Sequence, residues 1–206
     1  MLTTNQLAGR WLITATALVL VLIPVLNLAQ GAAPEGSVNL SSMTDHIGYM
    51  LRVTARLAFG LLLLAYLARP IWQLSGQGKT LLNLRPYIGL AAALSHTVHF
   101  GYVCVYLAVT EEPTSWVTLV FGGAAFALLW AMALTSNSAG RRKLGVWWRR
   151  LHLTGMHYLW LIFMQTFVAQ ALFASSHWAR AMSVLGLIAL AVRASAWLAQ
   201  RLRRTA

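Results

Sequence analysis

Apolar residues in this chain gather into long uninterrupted runs, with polar residues confined to the short stretches between them. A helix needs roughly 17 to 25 predominantly apolar residues to cross the hydrocarbon of a bilayer. Six such runs are present, at about 11–30, 48–72, 86–109, 116–136, 148–174 and 178–200. The connections are too short to hold a soluble domain, so the pattern predicts an all-α polytopic membrane protein, a six-transmembrane-helix bundle. Between the second and third runs, "QLSGQGKTLLNLRP" reads as a loop from its Gly, Ser and Pro; between the fourth and fifth, "TSNSAGRRKLG" reads as a polar turn followed by a basic cluster. The first run exceeds the about 7 to 15 residues of a secretory h-region and is preceded only by Arg10, so it is expected to be an uncleaved span.

Composition agrees with the pattern. Of 206 residues, 59% are hydrophobic and 10% charged, and the mean hydropathy is +0.65, too apolar for a water-soluble domain of this length. The formal charge of +12 would suggest a nucleic-acid partner if the basic residues formed one dense patch. They do not. Twelve of the sixteen Lys and Arg fall at the N-terminus, the C-terminus or the even-numbered loops, whereas Glu35, Asp45, Glu111 and Glu112 fall in the odd-numbered loops. By the positive-inside rule both termini are expected in the cytoplasm, and no nucleic-acid partner is expected. Seven of the nine tryptophans lie near helix ends, where interfacial aromatics belong. The one cysteine, Cys104, permits neither a disulfide framework nor a cysteine metal site and is expected to serve packing.

Ionisable residues inside apolar spans are costly and usually face the bundle interior or a cofactor. Four of the six histidines fall there: His96 and His99 on the third span, His152 and His157 on the fifth. His96 and His99, three apart, share a helix face, whereas His152 and His157, five apart, diverge by about 140°. Neutral imidazole is the usual protein ligand of haem iron, and no dinucleotide-binding glycine motif, cysteine cluster or carboxylate pair offers other redox chemistry. Depth counted along each helix from Arg85 and Arg150 makes His96 and His157 the most nearly level pair. On the second span Arg52 and Arg56 sit one turn apart, where haem propionates would serve as anionic partners. Arg193 is read as snorkelling to the surface, His46 and His177 as interfacial, and Gly122–Gly123 as a close helix approach. A transporter lined by the same His and Arg residues, or a haem-free membrane assembly protein, would use these polar groups differently.

The stretches "RPYIGLAAALSHTVHFGYV" and "LTSNSAGRRKLGVWWRRLHLTGMHYLW", together with "YMLRVTARLAF", resemble the ferric reductase-like transmembrane domain over about residues 46 to 200. On that reading residues 1–45 are a first helix and outer loop, and 46–206 are the ferric reductase-like domain. The resemblance implies a b-type haem-binding electron-transfer subunit of the bacterial inner membrane. His99 and His152 match ligand positions of the family, and Arg85 matches an arginine fourteen residues before the third-helix histidine. A second fifth-helix histidine is expected thirteen residues after His152, where this chain has Gln165. The expectation is therefore haem b, one per chain with two as the alternative, with His96, His157 or Met164 able to take over a vacated coordination position. The chain carries no flavin or nicotinamide domain, so a separate flavoprotein reductase or quinol is the expected donor and a periplasmic redox partner the expected acceptor.

Overall fold

The computed structural model describes residues 3–31, 40–110 and 115–205, with no side-chain detail for 28–31 and 40–42. Glu35, Glu111 and Glu112 lie outside the described residues. Among the described residues seven helices run in order: α1 (Thr4–Gly31), α2 (Leu40–Ser75), α3 (Lys79–Thr110), α4 (Trp116–Leu134), α5 (Ser138–Leu144), α6 (Val146–Phe173) and α7 (His177–Thr205). Six of them, all but α5, are long and apolar enough to cross a membrane. The chain is a multi-pass, all-helical membrane protein, as its hydrophobic pattern predicts.

Helices α2, α3, α4, α6 and α7 close a ring through neighbouring contacts, α2 also touches α6 across it, and α1 docks outside, against α3. At that outer seam Gly9 lies flat against the Tyr87 ring. Apolar burial drives little helix association in lipid; close packing and interhelical hydrogen bonds do more. Small residues supply the close packing. On α7, Ala179, Ser183, Gly186 and Ala189 form the buried stripe. Met164 of α6 and Phe59 of α2 occupy the space a side chain at Gly186 would need, and Trp160 Nε1 donates to the Gly186 carbonyl at 3.0 Å. Helix α2 carries the largest fully buried side chains, Tyr66 and Phe59.

Two connections differ from expectation. The loop between the second and third spans shrinks to residues 76–78, because Gly76 and Gly78 take left-handed backbone angles of +69° and +82° that reverse the chain in three residues. Gln73 to Ser75 join α2, and Lys79 to Pro86 join α3. The basic cluster after "TSNS" is itself helical: Asn137 caps α5 by accepting from Gly140 N at 2.7 Å. Arg141, Arg142 and Lys143 then fall in the last turn, where the helix dipole favours cations.

Arg193 does not snorkel. Pro70 in α2 has no N–H, so the Tyr66 carbonyl one turn earlier loses its normal helical donor. Arg193 of α7 supplies a replacement, donating from Nη1 to Tyr66 O at 3.2 Å with its guanidinium 4.4 Å over the Tyr66 ring. Arg85 of α3 donates from Nε to the adjacent Ala65 carbonyl at 3.0 Å. Two arginines from different helices thus grip consecutive carbonyls beside the proline. A bare carbonyl is expensive inside a bilayer, so the Arg193 bond satisfies the one that Pro70 leaves at Tyr66, and together the two bonds tie α3 and α7 to α2.

Candidate haem site

A cavity of about 470 Å³ opens between α2, α3, α4 and α6, in the half of the bundle away from the basic loop. Arg52 and Arg56 line it from α2, and His96, His99 and Cys104 from α3. Cys104 is exposed on this lining and is not buried in packing. Gly122 and Gly123 line it from α4 with open space where a Cβ would stand, so the glycine pair widens the cavity and mediates no close helix approach. Arg56 also lies 5.1 Å over the Trp178 ring. Among the described residues the lining includes no carboxylate, which suits the two guanidiniums to an anion brought by a ligand.

The hydrogen bonds assign the His99 tautomer. Thr54 is fully buried, and its hydroxyl has a single proton, directed to Met50 O at 2.6 Å in the usual mid-helix back-bond. The 3.0 Å contact between Thr54 Oγ1 and His99 Nδ1 must then run from His99 Nδ1–H to the hydroxyl oxygen. Nε2 is left without a proton, its lone pair available. A metal-ligating histidine is held in this way, with the far nitrogen donating to a fixed acceptor. His96 stacks beside His99, ring centroids 5.5 Å apart, and its Nδ1 is buried with no partner. Paired imidazoles, an unsatisfied buried nitrogen, cationic rim and glycine-widened wall suit a large planar anionic metal complex such as haem.

The other histidines go elsewhere. His152 lines a second cavity, of about 230 Å³ near the basic end, together with Arg85, Arg141, Ser136 and Trp148. Thr135 donates to Ala131 O at 2.6 Å, so its 3.2 Å contact with His152 is a donation from Nε2–H, which leaves Nδ1 bare. Trp148 stacks on His152 at 4.2 Å and lies 5.0 Å beneath the Arg141 guanidinium. His157 lines neither cavity. Its Nδ1 meets the Tyr66 hydroxyl at 3.0 Å.

His157 does not meet His96, the histidine to which it comes nearest in depth counted along the helices. His96 lies against Phe163, 5.3 Å between ring centroids, six residues beyond His157 and so about 9 Å further along α6. Met164 is buried against Gly186, and Gln165 is not on the lining of either cavity. His46 pairs through Nδ1 with Asn27 Oδ1, linking α2 to α1, and His177 is exposed.

Thr54 and Thr135 have no distinguishing sequence signal, since each is one threonine in an apolar run; only the pairing of helices brings each hydroxyl to an imidazole. Replacing Thr54 with valine keeps the volume and removes the acceptor. Because outer-shell partners of metal ligands are worth about 10- to 100-fold in metal affinity, Thr54→Val is expected to weaken haem binding about 10-fold, with Thr54→Ser restoring most of it. Haem titration of the purified variants measures both.

No family model matches the chain, and no solved structure matches it. Curated relatives do. The chain is 34% identical over 124 residues to the protein-methionine-sulfoxide reductase heme-binding subunit MsrQ of Cronobacter sakazakii, covering 53% of this chain and 62% of the relative. It is 30% identical over 142 residues to the MsrQ of Yersinia pseudotuberculosis, covering 61% of this chain and 70% of the relative. The Yersinia pestis Pestoides F protein of the same name matches at 30%, with 68% of its length covered. Similarity of this extent, on a chain that folds into six membrane-length helices, makes it a ferric reductase-like membrane protein of the MsrQ family.

Proposed function

We propose that the chain is a b-type haem-binding electron-transfer subunit of the bacterial inner membrane, with its basic end in the cytoplasm. The observation that carries the proposal is the His99–Thr54 pair, an imidazole whose Nε2 is deprotonated by its own hydrogen bond at the wall of a membrane-buried cavity. His99 would hold the iron, and Arg52 and Arg56 would hold the propionates through charge-assisted bonds. The haem supplies a one-electron couple. His152 and Arg85 are the groups a second haem would meet in the smaller cavity; with Thr135 engaging Nε2, that cavity is the less prepared of the two, and one haem per chain is the favoured count.

Electrons enter from the basic end, from a separate flavoprotein or quinol, and leave toward a periplasmic acceptor. The stretch "RRKLGVWWRR" presents its charge on an ordered surface: Arg150 lies 4.8 Å over Trp147, and Arg141 5.0 Å over Trp148. Such a surface favours docking of an acidic reductase, which salt would weaken. The test is a vesicle with the haem-loaded protein in its membrane and ferricyanide trapped inside, supplied outside with a reduced flavoprotein reductase or a quinol. Internal ferricyanide should be reduced at a rate that depends on the protein. Rates equal to protein-free vesicles with both donors would contradict the proposal.

A further inference from the structure

We propose that the α4–α6 wall of the larger cavity is a pocket for a small neutral diatomic ligand, beside a haem that this chain holds through His99 alone. The inference rests on the haem reading above and adds a ligand site to it. Three side chains on the cavity lining carry nitrogen or sulfur donors that iron accepts, His96, His99 and Cys104, and all three come from α3. Residues of one helix stand on one side of a flat ring, so they cannot bracket it. Of the two histidines, His99 has its second nitrogen anchored as a ligand requires, and His96 has no such anchor.

The facing wall has no substitute. Its α6 face presents Ile162, Phe163, Thr166 and Gln170, and its α4 face presents the open space at Gly122 and Gly123. The histidines and methionines of α6 are committed elsewhere: His157 to Tyr66, His152 and Met156 to the other cavity, and Met164 to the contact with Gly186. The segments outside the described residues contain no histidine or cysteine, and Met1 is their single methionine. On the wall across from His99 a haem would therefore meet Ile162 and Phe163. Apolar walls disfavour an anion and admit a neutral diatomic; the Thr166 hydroxyl donates to Ile162 O at 3.1 Å, so the Gln170 amide is the donor on this wall for a polarised one.

Carbon monoxide is the probe. Added to the dithionite-reduced, haem-loaded full chain in detergent, it should shift the Soret band with one molecule bound per haem, and the ferric protein should show a high-spin electron paramagnetic resonance signal. Thr166→His, which puts an imidazole on the facing wall, should convert the spectrum toward low spin and suppress carbon monoxide binding. A six-coordinate low-spin ferrous spectrum that carbon monoxide leaves unchanged would overturn the inference while the haem reading stands. Undiminished carbon monoxide binding in Thr166→His would put the open side elsewhere and overturn the wall assignment. A chain that binds no haem would overturn both.

Discussion

His99→Ala is expected to leave the larger cavity without haem, with affinity falling by more than about 100-fold, since losing only an outer-shell partner of a metal ligand already costs about 10- to 100-fold. His99 reaches the cavity from α3, and its ring is anchored to α2 through Thr54, so the alanine removes the donor without disturbing the α2–α3 backbone. His96 cannot rescue the site in place, because it stands one turn away with its Nδ1 unpartnered and its ring against Phe163. The predicted order of haem affinity is wild type, then Thr54→Val, then His99→Ala. Haem titration measures it, and size-exclusion elution at the wild-type position establishes that each variant is folded. Equal haem affinity in wild type and His99→Ala would remove His99 from the site.

Arg193→Met should destabilise the bundle by about 1 to 2 kcal/mol. A buried carbonyl left without a donor costs about 1 to 3 kcal/mol, and polar contacts between membrane helices average about 0.6 kcal/mol with a maximum near 1.7. The upper part of that overlap applies here because the donor is charged and the Tyr66 carbonyl has lost its own helical partner to Pro70. Pro70→Ala restores an N–H at position 70, so Arg193→Met should cost much less in a Pro70→Ala background. Unfolding in mixed micelles of the four proteins gives the coupling energy. Equal costs in both backgrounds would mean that Arg193 stabilises the fold only through the Tyr66 ring, over which it also lies.

The spans are legible because lipid demands long apolar runs and the loops between them are short, and all six apolar runs correspond to membrane-length helices. Helix ends were less so: α2 and α3 extend well past the apolar runs, since Lys79, Arg85 and Pro86 fit a helix whose start the bilayer does not constrain. His96, His99, Arg52 and Arg56 share one cavity because each pair already shares a helix face. Which histidines meet across helices was not legible. It depends on the axial offset of α3 against α6: a count from the nearest arginines leaves no pair level and makes His157 only the nearest in depth to His96, and the ring that His96 meets is Phe163. Arg193 was misread for a related reason, because its partner is a carbonyl exposed by a proline 123 residues earlier in the chain.

Haem binding itself is the central claim, and a reduced-minus-oxidised visible spectrum with a pyridine haemochrome count per chain tests it most directly. The purified protein from haem-replete cells should show the α and Soret bands of a b-type cytochrome at one haem per chain. A folded but colourless protein would contradict the account.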